Sequence, residues 1–150
     1  MNQYQLIALD RDGTLLNSKK QLSEGNRAAL ERAAAAGKQI ALSTGRCRPE
    51  LADYLTQIPG IRYLDCSSGA LVYDLKEQKE ICDRRIHPKL IEAFIRYALE
   101  NDLMVHLLDQ KSYVWSRQLH QMEYYGMGVY QSLFARICTP LDQILEDYLA

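Results

Sequence analysis

Two aspartates one residue apart stand in the run Asp10-Arg11-Asp12-Gly13-Thr14, directly after the apolar residues Leu6-Ile7-Ala8-Leu9. An apolar run of this length that stops at charged residues reads as a buried strand reaching its end. At that rim of a parallel sheet, ligands bind. Carboxyls with ordinary values near about 4 are ionised at neutral pH, and two anions held this close repel unless a cation joins them. Mg2+ is a hard ion that fits that need, which makes Asp10 and Asp12 candidate metal ligands. A carboxylate can also attack phosphorus to form an aspartyl-phosphate, so Asp10 is a candidate nucleophile and Asp12 a candidate general acid and base. Gly13 lets the chain turn sharply, and Thr14 adds a hydroxyl.

A second element, Ser43-Thr44-Gly45-Arg46, ends the next apolar run, Ile40-Ala41-Leu42. A hydroxyl and backbone N–H groups ahead of a helix suit a phosphate oxygen, and Arg46 adds a fork-shaped donor. Thr44, Gly45 and Arg46 therefore join Gly13 and Thr14 as candidate phosphate-binding residues.

The elements that must position these residues are legible in the periodicity. Residues 5–9 form a first strand. Ser23 caps a helix through Leu30 and Ala34 that stops at Gly37, and 39–43 is a second strand. A further helix begins near Pro49, 63–66 is a third strand, and 70–73 with 80–82 form a hairpin. Strand, helix, strand, helix is the pattern of an α/β fold with a parallel sheet. From about Asp83 the character changes. His87 and Pro88 open a helix with Leu90, Ile91, Phe94, Ile95 and Ala98 on one packed face. Residues 104–108 and 112–115 form a strand pair, a tyrosine-rich stretch with Tyr124, Tyr125 and Tyr130 follows, and Pro140 begins a last helix to Leu149.

Composition bounds the function. The chain has 150 residues, 47% hydrophobic and 25% charged, with net charge −1. No positive field draws it to nucleic acid or to an anionic surface, and no apolar run approaches the roughly 20 residues that span a bilayer. Without a visible secretory leader the expectation is a cytoplasmic protein. Cys47, Cys66, Cys82 and Cys138 stand far apart and read as free, buried thiols. No dinucleotide-binding or P-loop glycine pattern occurs.

The wording of the chain resembles the haloacid dehalogenase superfamily. Asp10-Arg11-Asp12-Gly13-Thr14 is similar to its first motif, D-x-D-G-T, and Thr44 to the Ser/Thr of its second. Ser-Thr-Gly-Arg and Ser-Gly-Ala-Leu-Val further resemble the Cof-type phosphatases with a C2B cap. The resemblance implies a Rossmann-like three-layer α/β core with a parallel sheet, residues 1–82, followed by a partial α+β cap, residues 83–150. It implies Asp10 as nucleophile, Asp12 as acid/base, and Mg2+ bound by the Asp10 carboxylate and the backbone carbonyl of Asp12. Thr44 would hold the phosphoryl group of a small phosphorylated metabolite. The resemblance departs at Ser68, where Asn usually stands. Its third motif, a Lys, and its fourth, an acidic cluster, follow the cap and have no counterpart here. The expectation is thus a shortened, crippled phosphatase, with a catalytically inactive binding remnant as the alternative. Strand 5–9 would lie at an exposed sheet edge, and a homo-oligomer that covers it is expected.

Overall fold

The computed structural model describes residues 4–108, 111–114 and 138–141. The chain divides into two compact units, Met1–Arg84 and Arg85–Ala150.

In the first unit, β1 (Leu6–Asp10), β2 (Gln39–Ser43), β3 (Ile61–Cys66), β4 (Leu71–Asp74) and β5 (Lys79–Asp83) form one sheet in that order. β1, β2 and β3 run parallel, and β4 and β5 return as the antiparallel hairpin the sequence announces. Three consecutive residues of β2, Ile40, Ala41 and Leu42, are buried, which is possible only where both faces of a strand are covered. The core joins Ile40 and Leu42 to Leu15, Leu30, Leu51, Ile58, Leu64, Cys66 and Tyr73. Each large aliphatic side chain removed from water there contributes about 2 kcal/mol.

Helix α1 (Glu24–Ala35) links β1 to β2 as expected. The Ser23 hydroxyl accepts from the Asn26 N–H at 3.2 Å, and Glu24 lies in the positive first turn. The Asn26 amide donates to the Leu15 carbonyl at 2.8 Å and ties the helix to the loop after β1. Gly60, at φ +70°, precedes β3 where a Cβ would stand 2.6 Å from the Ala34 methyl, so only glycine lets α1 approach this closely. The helix expected after Thr44 is shorter than its sequence suggests. It is a 3₁₀ turn, Arg48–Leu51, that passes into the four-residue α2, Ala52–Leu55.

The second unit contains α3 (Pro88–Glu100) and a sheet of β6 (His106–Leu108), β7 (Ser112–Val114) and β8 (Cys138–Pro140). The His87 ring accepts from the Lys89 N–H at 3.3 Å and caps α3. Two expectations are corrected here. Ile95 and Ala98 of α3 are buried with Val105 and Leu141, but Leu90 and Phe94 are 64% and 55% exposed. The apolar arc is wider than the surface covering it among the described residues. Pro140 ends a strand parallel to β7 and does not begin a helix, because the ladder Ser112↔Cys138 to Val114↔Pro140 takes it. The helix expected beyond Leu141, Trp115 and the tyrosine-rich stretch lie outside the described residues. No helix among those described is long and apolar enough to cross a membrane.

Candidate active site

β1 and β2 pair with Asp10 opposite Ser43, and β2 and β3 pair with Ser43 opposite Asp65. The register thus sets Asp10, Ser43 and Asp65 in one row at the C-terminal ends of three parallel strands, the rim where the sequence motifs were expected. Asp10 is exposed at the end of β1. Its Oδ2 accepts from the Thr14 hydroxyl at 3.2 Å. Between them Gly13 turns at φ +81°, in open space, a conformation that would strain any other residue.

Asp12 sits in a different environment. Lys20 Nζ lies 2.7 Å from its Oδ1, while Arg11 Nη1 and Arg46 Nε lie 3.2 and 3.1 Å from its Oδ2. Burial pushes the Asp12 carboxyl up, but the Lys20 hydrogen bond and the charges of Arg11 and Arg46 together outweigh it and hold the carboxyl below its ordinary value. The cation expected to relieve two neighbouring aspartates is therefore supplied to Asp12 by the protein itself.

Each of these cations is positioned by its own local structure. Arg11 is fully buried, with its guanidinium 4.0 Å above the ring centre of Tyr54 in α2. Arg46 also reaches Glu50 at 3.6 Å, and the buried Glu50 carboxylate accepts from the Cys47 N–H at 2.9 Å. Lys20 is aimed by a tight turn. The Asn17 side-chain oxygen accepts from the N–H groups of Lys19 and Gln21, the Asn17 carbonyl accepts from Lys20, and Leu16 bridges to Leu22. Lys20 itself takes φ +59°, a left-handed conformation that costs a non-glycine residue about 1 kcal/mol or more.

Thr44 is buried, and its hydroxyl oxygen accepts from the Arg46 N–H at 3.3 Å, closing a small turn around Gly45. The loop after β3 templates this turn. Ser67 N–H donates to the Arg46 carbonyl and Ser68 N–H to the Thr44 carbonyl, while the Thr44 N–H donates to the Asp65 carbonyl. The Ser43 hydroxyl donates to Asp65 Oδ2 at 2.7 Å. Ser67 and Ser68 hold φ of 51° and 57°, strain that persists where surrounding bonds over-determine it.

The structure thus gathers Asp10 with Thr14, and Asp12 with Arg46, and places Thr44 one residue past the register partner of Asp10. The sequence reading missed Arg11, Lys20, Glu50, Asp65 and Ser67. A charged residue inside the D-x-D run was the one available signal, for Arg11. The donor set suits Mg2+ in kind, since the Asp10 carboxylate and the Asp12 carbonyl are hard oxygens. Among the described residues no group of three or more His, Cys, Asp or Glu side chains could hold a metal ion, so water would complete the coordination.

A family model described as haloacid dehalogenase-like hydrolase matches residues 7–144. The chain is 30% identical over 132 residues to the Bacillus subtilis protein named Putative phosphatase YxeH, covering 85% of this chain and 49% of that protein. Over 108 residues it is 47% identical to the chloroplastic endoribonuclease YBEY of Arabidopsis thaliana, covering 65% of this chain and 18% of that much longer protein. A solved HAD subclass IIB sugar phosphatase superposes with a TM-score of 0.70 at 16% identity, over 93% of this chain and 54% of that one. The chain spans about half the length of YxeH and of the solved phosphatase. Family match, fold and strand-end aspartates agree, and the chain belongs to the haloacid dehalogenase-like hydrolases.

Proposed function

We propose that this chain carries the phosphoryl-transfer residues of a Mg2+-dependent phosphate monoester hydrolase acting on a small phosphorylated metabolite. The observation that supports it is the unequal setting of two carboxylates on one loop, with Asp10 exposed at a strand end and Asp12 held by Lys20, Arg11 and Arg46. The exposed carboxylate is open to attack on phosphorus, and the cation-held one lies beside it on the same loop. Asp10 is the nucleophile. Its carboxylate oxygen forms a bond to phosphorus as the ester P–O bond breaks, and Asp12, after taking up a proton from solvent, delivers it to the departing alkoxide. In the second half Asp12 accepts a proton from water as that water attacks the aspartyl-phosphate. This releases phosphate and restores Asp10. The Thr44 hydroxyl and the Gly45 N–H hold phosphoryl oxygens. Mg2+, held by the Asp10 carboxylate and the Asp12 carbonyl, would offset the negative charge of the phosphoryl group. Residues 83–150 would be a partial cap domain of the C2B type.

The test is phosphate release from an aryl phosphate with saturating Mg2+, in the wild type and in Asp10→Asn. Slow release that disappears in Asp10→Asn and in chelator is expected. Release that survives Asp10→Asn would overturn the reading. A ¹⁹F spectrum with beryllium fluoride gives a readout independent of turnover, since a fluoroberyllate adduct forms on an accessible nucleophilic aspartate. Absence of both Asp10-dependent signals would favour a binding remnant.

A further inference from the structure

Both oxygens of Asp12 are engaged by cations, yet its proposed role requires one of them to meet the leaving oxygen of a substrate. The contact that gives way most readily to a leaving oxygen is the least firmly held one. The three cations differ in how firmly they are held. Arg11 is fully buried against Tyr54, and the Arg46 side chain is 17% exposed and braced at its other end by Glu50. Lys20 is 31% exposed, on a flexible four-carbon stem, and is the partner of Oδ1. It is also the side chain whose backbone carries left-handed strain at a turn organised by Asn17.

We propose that Lys20 is a further phosphate-binding residue, and that its ammonium, resting on Oδ1 of Asp12 in the ligand-free site, transfers to a phosphoryl oxygen when a phosphate monoester enters. The inference rests on the phosphatase reading above. An acid that protonates the oxygen leaving phosphorus must itself lie beside the phosphoryl group. An ammonium 2.7 Å from that acid is then one side-chain rotation from a phosphoryl oxygen. The transfer replaces one anionic partner by another, so the lysine keeps a charge-assisted hydrogen bond throughout. It also frees Oδ1 only when a phosphate is present. The strained turn then has a purpose. It keeps the lysine over the site, so the side chain alone needs to move.

The test uses inorganic phosphate with Mg2+ on the whole chain, followed by amide NMR titration in wild type, Lys20→Met, Lys20→Arg and Thr44→Ala. In parallel, the side-chain ammonium resonance of Lys20 is followed in the wild type, which needs no variant to fold. Lys20→Met is expected to weaken phosphate binding about tenfold, Lys20→Arg to restore most of it, and the ammonium resonance to shift along the same binding curve. If Thr44→Ala weakens binding while Lys20→Met binds as wild type and the ammonium resonance stays fixed, the lysine inference fails and the phosphatase reading stands. If wild type binds no phosphate, or Thr44→Ala changes nothing, the reading fails and takes the inference with it.

Discussion

Nε of Arg46 stands 3.1 Å from Oδ2 of Asp12, a residue 34 positions earlier, and so joins the loop after β1 to the loop after β2. The same guanidinium partners the buried Glu50. Removing it leaves the buried Glu50 carboxylate without its guanidinium, though still accepting from the Cys47 N–H. Arg46→Ala is expected to destabilise the first unit by about 1–2 kcal/mol, less than a fully buried pair because Asp12 is partly exposed. Urea midpoints at constant slope measure it, and an unchanged midpoint would mean the bridge contributes nothing.

Gly60 supplies a sharper structural test. A methyl group there meets the Ala34 methyl at 2.6 Å and sits on a positive φ of 70°. Gly60→Ala is expected to cost about 2 kcal/mol or more, through overpacking and backbone strain together. Gly25→Ala, in open space inside α1, serves as the control and is expected to be neutral or mildly stabilising.

Acid stability follows from Asp74, away from the candidate site. Burial pushes this carboxyl up. Hydrogen bonds from the Glu77 and Lys76 N–H groups and from Arg62 outweigh the burial and hold it below its ordinary value. A carboxyl lowered in the folded state stabilises above its unfolded value near 3.8, and that stabilisation fades as pH falls below it through the lowered value. Asp74→Asn should be less stable at neutral pH and show a shallower loss between about pH 4 and pH 2. Thermal midpoints across that range decide it, and parallel curves for the two proteins would refute the assignment.

The thiols should react in a fixed order. Cys47 and Cys66 are buried free thiols, and burial together with neighbouring carboxylates pushes both up, Cys66 to about 11. Cys82 is only half-buried. At pH 8 a thiol near 11 is about one part in a thousand thiolate, so peptide mapping after brief alkylation should find Cys82 modified before Cys47 and Cys66. Equal rates would show that the first unit opens as fast as it is labelled.

Self-association is an expectation carried from the sequence. β1 ends the strand order and pairs with β2 alone among the described strands, with Leu6 half exposed. Such an edge pairs with another chain unless blocked. Light scattering at micromolar concentration should show a dimer or larger species, reduced by Leu6→Lys. A monodisperse wild-type monomer would refute it.

The D-x-D-G-T and Ser-Thr-Gly-Arg runs were readable because their residue types and strand-end positions are local properties. So were the Ser23 cap, the Gly37 stop and the hairpin of β4 and β5. What surrounds Asp12 was not readable. Its partners come from the adjacent Arg11, from Lys20 across a turn and from Arg46 on the neighbouring strand end, and only folding sets those distances. Period was also a partial guide on α3, where Leu90 and Ile95 share an apolar arc but, among the described residues, only the second is packed in a core cluster. At Pro140 the local preference for a helix start lost to strand pairing with β7.

The in-register row of Asp10, Ser43 and Asp65 implies an uneven tolerance to insertions and deletions. One codon gained or lost within residues 6–10 or 39–43 would turn the following side chains to the opposite face of the sheet and shift them along it by about 3.3 Å. Asp10 would then no longer share a rim with the Thr44 turn. The same change in the exposed turn at 76–78 would lengthen or shorten a hairpin and leave the rim intact. In a library of in-frame single-codon insertions selected for phosphate binding, survivors should cluster in that turn and be absent from β1 and β2.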